Sequence, residues 1–378
     1  MREPEIIITG RDSGEDMIVR YQTSKGTEIY GLAIPNVHDD TDWNLGPTWC
    51  YFVLGQKNIL IDTGRFGNLE VLKNQLGKIG KRFSDIDIII ITHGHEDHDG
   101  NLPDVLPLTH AQLAAYHTYQ QMISYFPEIE DGAPHPELPG SCRSCAMPDK
   151  FVLKNCINYH QKRSRLSIDF AIRDGETSPI DGLNFVFTPG HSADSMCVIL
   201  DNEVIFTGDT ILPDITPHPS RASNFESNRR ILPEGYGEQN EVYGLMNYIK
   251  SLAKIDALDD GQFQATFTAH RLFYNGQFNL VHHPRYRSNE IIRFHIDRCR
   301  DVIRIISSEA KNLDQIADEH FTPSQLARHG RLMARNELLA HIEVMEEYGD
   351  VRWTGENEDI LQHTGSYGCL DAIGAYLR

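Results

Sequence analysis

The chain has 378 residues, of which 40% are hydrophobic and 24% are charged, and its formal net charge is −19. This length exceeds that of an average domain, so we expect one large domain and a smaller one. The acidic balance disfavours binding to nucleic-acid phosphates, which requires a basic surface. No stretch approaches the roughly 20 apolar residues of a membrane span, so we expect no membrane association.

The N-terminus and the cysteines bear on the cellular compartment. Residues 1–5 show no basic start followed by an apolar core. We therefore expect no secretory signal and a cytoplasmic location. In that compartment the seven cysteines are expected to be reduced thiols or metal ligands.

The first part of the chain predicts strands and one helix. Residues 48–54 and 58–62 have the pattern of a β-hairpin that turns at Gly55 and ends in Asp62. An Asp before a Thr-Gly pair is, by itself, commonly only a turn former. Residues 68–79 place apolar side chains on one face of an amphipathic helix. This alternation of strand and helix indicates an α/β architecture.

A short apolar run at residues 86–91 predicts a fully buried strand, because its residues are β-branched and nearly free of polar neighbours. Chemistry in α/β proteins lies just past the carboxyl ends of such strands. Imidazole and carboxylate ligands together favour Zn²⁺, Fe or Mn over Ca²⁺ or Mg²⁺. The candidate ligands that follow the run are His93, His95, Asp97 and His98.

The middle of the chain predicts a helix from about residue 111 to 119 and then a cysteine-rich insertion at about 126–165. The insertion is rich in Pro, Gly and acidic residues, and it contains a Cys-x2-Cys-x10-Cys-x3-His pattern. Three sulfurs and one imidazole are the ligands of a closed structural zinc site. Unrelated thiols and a redox Cys-x-x-Cys pair are the alternatives. The four candidate zinc ligands are Cys142, Cys145, Cys156 and His160.

Three later strands each end in a possible metal ligand. Residues 183–188 lead into a tight Pro-Gly-His turn, a hairpin over 195–206 leads into Thr-Gly-Asp, and residues 263–268 lead into Ala-His. A single His or Asp after a strand is weak evidence when taken alone. The candidates are His191, Asp209 and His270, with His282 and His283 as rivals for the last position.

Together these motifs resemble those of the metallo-β-lactamase superfamily over roughly residues 20–285, in the right order and each at a strand end. Ala269 is a mild departure, because the family usually has Gly there. The resemblance implies an αββα sandwich with a dinuclear metal site. It also implies that Asp62 orients a metal-binding His and that Asp97 accepts a proton as well as binding metal. The implied ligands are His93, His95 and His191 for one metal, Asp97, His98 and His270 for the other, and Asp209 as the bridge.

The chain beyond residue 287 predicts helices at about 289–307, 313–320 and 323–348, followed by a short strand at 351–353. This order resembles the winged-helix-like tail of a metallo-β-lactamase subgroup that includes endoribonucleases. Residues 287–378 carry 11 basic and 16 acidic side chains, a net charge of −5, which suits phosphate binding poorly. We therefore expect a catalytic domain at 1–286 and a winged-helix-like domain at 287–378 that serves packing or homodimer formation.

The resemblance implies a hydrolase that acts on a small-molecule thioester, ester or lactone, similar to glyoxalase II and the lactonases. Zinc is the expected metal at both positions, with iron or manganese as alternatives. A metal-dependent nuclease and a mononuclear iron persulfide dioxygenase are the alternative functions. Three arginines in the long loop after Asp209 either pair with an anionic substrate or are solvated surface residues. They are Arg221, Arg229 and Arg230.

Overall fold

The computed structural model describes residues 3–36, 43–124, 157–356 and 359–378. The strands are β1 (Glu5–Ile8), β2 (Ile18–Gln22), β3 (Glu28–Ile34), β4 (Thr48–Leu54), β5 (Ile59–Ile61), β6 (Ile88–Ile91), β7 (Gln112–Tyr116), β8 (Phe170–Ile172), β9 (Leu183–Phe187), β10 (Met196–Leu200), β11 (Val204–Gly208), β12 (Ala265–Thr268), β13 (Phe273–Tyr274), β14 (Gln277–Phe278), β15 (Lys311–Asn312), β16 (Val351–Thr354) and β17 (Ile360–His363). The helices are α1 (Leu69–Lys78), α2 (Glu96–Asp99), α3 (Leu102–Val105), α4 (His117–Ser124), α5 (Ile157–Arg163), α6 (Asn224–Asn228), α7 (Leu245–Leu258), α8 (Pro284–Ile306), α9 (Leu313–His320), α10 (Gly330–Glu347) and α11 (Gly368–Gly374). None of the helices in these ranges is long and apolar enough to cross a bilayer.

The first sheet has eight strands, β1 to β8, in chain order. Neighbours from β1 to β5 are antiparallel, and neighbours from β5 to β8 are parallel. Because parallel strands end at the same edge of a sheet, the loops after β5, β6 and β7 emerge side by side.

The second sheet has four strands in the order β12-β11-β10-β9. The pairs β9–β10 and β10–β11 are antiparallel, while β11 and β12 are parallel. The carboxyl ends of β11 and β12 therefore lie together, and they carry Asp209 and His270.

Alternation along the strands divides the core into layers. Ile88 and Ile90 of β6 belong to the apolar cluster between the two sheets, which also contains Phe206 of β11. Ile89 belongs to the outer cluster, where it joins Leu72 of helix α1. One run of isoleucines thus buries both of its faces, as a central parallel strand requires. The predicted αββα sandwich is confirmed.

The C-terminal helices cover the outer face of the second sheet. Ile205 of β11, Ile249 of α7, Ile292 of α8 and Leu338 of α10 share one buried apolar cluster. A three-stranded antiparallel sheet in the order β15-β17-β16 follows the helices as the wing. The helical, winged-helix-like C-terminal region agrees with the prediction. The proposed division at residue 287 falls inside α8 and stays a prediction.

Two sequence-based element predictions were wrong. Residues 112–116, predicted as helical, form β7, and α4 begins only at His117. Two alanines favour a helix locally, but β6 and β8 pair with both edges of this segment, so tertiary pairing overrides that propensity. The helix predicted from residue 323 begins at Gly330, because turns that include the left-handed Arg328 (φ 54°) precede it.

Candidate metal centre

Two groups of potential metal ligands meet at the edge where strands of both sheets end. His93, His95 and His191 form the first group, with 3.1 Å between Nε2 of His93 and Nδ1 of His95. The second group consists of Asp97, His98 and His270. Nε2 of His270 lies 3.2 Å from Oδ2 of Asp97.

Asp209 lies between the two groups and turns one oxygen toward each. Its Oδ2 is 3.5 Å from Nε2 of His191. Its Oδ1 is 3.4 Å from Nε2 of both His98 and His270. The structure thus brings together all seven residues that the sequence suggested as metal ligands.

Backbone and carboxylate acceptors fix the orientation of three of the imidazoles. Nδ1 of His98 lies 2.8 Å from Oδ2 of Asp62, that of His191 lies 2.7 Å from the carbonyl of His218, and that of His270 lies 3.2 Å from the carbonyl of Pro47. With the proton on Nδ1, the lone pair on each Nε2 faces the interior of the site.

The inward-facing atoms are the feature that fits a bound cation. Nε2 of His98, His191 and His270 and Oδ1 of Asp209 are buried and make no hydrogen bond to any described residue. Buried polar atoms without partners are costly, and a cation coordinated by them removes that cost. Imidazole and carboxylate are ligands for Zn²⁺, Fe or Mn, so the donor set suits such ions.

Asp62 is held in place by several contacts at the end of β5. Its Oδ1 accepts a hydrogen bond from the backbone of Thr92 at 2.8 Å, and its Oδ2 accepts one from the Thr92 hydroxyl at 2.8 Å. Asp62 has φ 58°, a left-handed conformation that Asp and Asn tolerate better than most residues. It contacts His98 rather than the inside of the site, so it is placed to orient a ligand.

Electrostatics separate the two groups. Burial lowers the pKa of His95 to about 3 and also lowers the pKa of His93 and His191, which leaves these imidazoles neutral with available lone pairs. Burial alone would lower the pKa of His98 and His270 too, but the Asp209 and Asp97 carboxylates raise both. The second group therefore carries most of the interaction between charges.

Sequence reasoning missed several groups that support the ligands. Asn36 donates a hydrogen bond to Oδ2 of Asp97 at 3.0 Å, and Asp194 accepts one from the backbone of Gly94 at 2.8 Å. Thr92 was detectable, because it directly precedes the first ligand. The carbonyls of Pro47 and His218 have no side-chain signature in the sequence.

The other candidate residues lie elsewhere. His282 and His283 line a cavity of about 430 Å³ together with Phe263 and Gln264, at the opposite end of β12 from His270. They are therefore not rivals for its position. Of the three loop arginines, Arg221 pairs with Glu343 of α10 at 3.2 Å, and the Arg229 guanidinium lies 5.8 Å from the Phe225 ring centre.

The predicted zinc site of the insertion stays a prediction. Cys142, Cys145 and Cys156 lie outside the described residues. His160 lies in α5 and is buried, and burial lowers its pKa to about 2. Its imidazole is therefore neutral, as a metal ligand must be.

One further group of the same residue types lies among the C-terminal helices. His295 of α8 and Glu337 and His341 of α10 are all buried, and we refer to them as the α8–α10 cluster. Nδ1 of His341 lies 2.7 Å from the carbonyl of Glu337, and its Nε2 lies 2.9 Å from Nδ1 of His295. Nη1 of Arg298 lies 3.9 Å from Oε1 of Glu337.

The two-sheet sandwich and a histidine–aspartate cluster at the strand ends define a metallohydrolase-type α/β protein. The sequence profile of the metallo-beta-lactamase superfamily matches residues 43–260, more than half of the chain. The chain belongs to the metallo-beta-lactamase superfamily, as its motifs predicted.

Curated relatives match only part of the chain. The lactamase-like protein nscB of Aspergillus fumigatus is 32% identical over 161 residues, which are 42% of this chain and 35% of that protein. An atrochrysone carboxyl ACP thioesterase of the same fungus is 29% identical over 208 residues, 54% of this chain and 45% of that protein. A probable metallo-hydrolase of Methanocaldococcus jannaschii is 28% identical over 161 residues, 43% of this chain and 66% of that protein. The chain spans only about a third of the first of these relatives and less than half of the second.

Solved structures agree on the fold over almost the whole chain. A beta-lactamase domain protein from Burkholderia ambifaria is 16% identical with a TM-score of 0.64, and the match covers 96% of this chain and 97% of that one. A metallo-beta-lactamase family protein from Thermus thermophilus is 20% identical with a TM-score of 0.60, covering 89% and 98%. Both matches include the C-terminal region as well as the sandwich.

Proposed function

We propose that the protein is a metal-dependent hydrolase whose dinuclear centre cleaves a small-molecule thioester. The observation that carries the proposal is Asp209, whose two oxygens face two separate groups of ligands. A carboxylate in that position suits a bridge between two cations 3.5–4 Å apart. Zinc is the proposed metal, with iron or manganese as alternatives.

The chain's own residues hold the site in a reactive arrangement. His93, His95 and His191 would bind one cation. Asp97, His98 and His270 would bind the other. Bound cations of this kind supply a nucleophile from water at neutral pH and polarise the carbonyl under attack.

Asp97 is the proposed proton acceptor as well as a ligand. Its side chain is 18% exposed, whereas those of His98 and His270 are fully buried, so the substrate side of the centre reaches it. The hydrogen bond from Asn36 fixes its Oδ2, and its Oδ1 lies 3.9 Å from Nε2 of His98. An attacking water that loses a proton has this carboxylate as a nearby base.

The relatives support a thioester over the other acyl substrates. One relative is named a thioesterase, and others are named lactamase-like proteins or a metallo-hydrolase. A thioester carbonyl needs the same polarisation and oxyanion stabilisation as an ester or lactone carbonyl. Esters and lactones are therefore the substrates to compare with it.

The test combines metal analysis with a substrate panel on the full-length protein. We expect release of free thiol from acyl thioesters, with slower turnover of lactones, of a chromogenic lactam and of RNA. Thioesters left intact beside rapid RNA cleavage would contradict the proposal and favour a nuclease. A chain that holds one iron and consumes oxygen with a persulfide would favour the dioxygenase.

A further inference from the structure

His191 depends on a single backbone carbonyl for its orientation. Its Nδ1 lies 2.7 Å from the carbonyl oxygen of His218, and this contact sets the tautomer that turns Nε2 toward Asp209. His218 belongs to the irregular segment between β11 and α6. A carbonyl on such a segment is only as well placed as the contacts that hold the segment.

The side chain of the same residue supplies those contacts. Nδ1 of His218 lies 2.9 Å from Oε2 of Glu337 in helix α10. The His218 ring also stacks on Trp43, with 5.2 Å between ring centres and 23° between planes. Trp43 in turn donates a hydrogen bond from Nε1 to the carbonyl of Gln325 at 2.9 Å. The ring is thus held between the catalytic sandwich and the C-terminal helices.

Glu337 is suited to act as the fixed point of this arrangement. Its side chain is only 4% exposed, and Arg298 approaches its second oxygen to 3.9 Å. Burial alone would raise the pKa of the Glu337 carboxyl, but its pairing with His218 and the nearby Arg298 hold it well below the usual range. A buried charge with these partners is expensive to move, so its position is well defined.

Other contacts hold the segment without reaching this carbonyl. Arg287 of α8 donates hydrogen bonds to the carbonyls of Leu212 and Ile215 at 2.8 and 2.9 Å. Glu343 of α10 accepts hydrogen bonds from the backbone and hydroxyl of residues 222 and 223. These contacts offer a comparison, because they hold the same segment at positions before and after His218.

We propose that Glu337 is a positioning residue of the metal centre: it holds the His218 ring, and the His218 carbonyl then orients the metal ligand His191. The inference rests on the proposed function, in which His191 binds one of the two cations. The C-terminal region thereby takes part in building the site. Its contribution passes through one residue whose side chain and carbonyl face opposite partners.

The experiment compares Glu337→Gln, His218→Phe and the double variant by Zn²⁺ titration of the metal-free full-length protein. Each single change should weaken binding of the cation held by His191 by roughly 10–100-fold, as changes behind a ligand do. The double variant should be no weaker than either single variant, because both remove one pathway. His218→Phe keeps the backbone carbonyl and the aromatic stack, so it reports the pathway even where Glu337→Gln folds poorly.

Glu343→Gln is the matched control, since it removes a glutamate of the same helix that holds the same segment. We expect unchanged Zn²⁺ affinity for this variant, and a changed absorption spectrum of the Co²⁺-loaded protein only for the Glu337 and His218 variants. Equal loss of affinity in Glu343→Gln, or variants that are less stable to urea but bind Zn²⁺ normally, would overturn the inference. A wild-type protein that binds two cations but cleaves no thioester would contradict the proposed substrate alone, because the affinity ratios still test the pathway.

Discussion

The metal centre and the α8–α10 cluster are built from the same residue types and are equally buried, yet their internal arrangements differ. In the metal centre, three Nδ1 atoms are engaged outward and the Nε2 atoms converge on Asp209. In the α8–α10 cluster, His341 is engaged at both nitrogens, one with the carbonyl of Glu337 and one with His295. Convergent lone pairs fit a cation, whereas imidazoles that face one another fit a hydrogen bond.

The charges nearby reinforce this difference. Asp97, Asp209 and Asp62 surround the second ligand group of the metal centre, and they favour a cation there. In the α8–α10 cluster, by contrast, the single carboxylate of Glu337 already has Arg298 and His218 beside it. A divalent cation would meet a guanidinium at close range. Residue type alone therefore does not identify a metal site, and the direction of the lone pairs has to be known.

The most severe way to break the comparison is to delete residues 287–378, which removes the α8–α10 cluster completely. The deletion exposes the outer face of the second sheet and helix α7, including Ile205 and Ile249, which are fully buried in the intact chain. Apolar surface of this size drives association, so we expect aggregation. Size-exclusion chromatography measures this. A soluble shortened chain that keeps two metals would show that the C-terminal region is dispensable to the centre.

Within the metal centre, Asp209→Asn should have the largest effect on activity. The amide keeps the shape but loses the charge and one ligand oxygen, so we expect activity to fall by about 1,000-fold, equivalent to about 4 kcal/mol. Asp201→Asn is the matched control, because Asp201 lies in the β10–β11 turn and pairs with Lys25. Steady-state kinetics and metal content distinguish the two. Near-normal turnover in Asp209→Asn would remove the bridging role.

Asp62→Asn should have an intermediate effect. Asn tolerates the left-handed backbone at this position, so the change isolates the carboxylate. Loss of the charged acceptor for His98 should weaken metal binding or activity by roughly 10–100-fold without removing a ligand. Competition with a chelator measures the affinity, and an unchanged value would make Asp62 a plain turn residue.

The smallest effect on the metal centre is expected from His295→Ala in the α8–α10 cluster. The change leaves Nε2 of His341 buried without its partner, which should reduce the free energy of unfolding by roughly 2 kcal/mol. The metal content should stay the same. Urea unfolding and elemental analysis measure the two quantities, and loss of one metal per chain would show that this cluster also binds a cation.

The sequence predicted the fold and the ligands where a local pattern determines them. The isoleucine run of β6 and the closely spaced His and Asp residues after it are such patterns, and both were recognisable. Residues 112–116 were misassigned because their local helix preference is overridden by two neighbouring strands. Asn36 and the carbonyl of His218 were missed because their contacts depend on tertiary packing and, for the carbonyl, on no side chain at all.

The most direct test of the central claim is anomalous diffraction at the zinc edge from crystals of the metal-loaded full-length protein. The account predicts two peaks on either side of Asp209, about 3.5–4 Å apart, one beside His191 and the other beside His270. It predicts no peak between His295 and His341. A single peak at the strand ends, or a peak in the α8–α10 cluster, would contradict it.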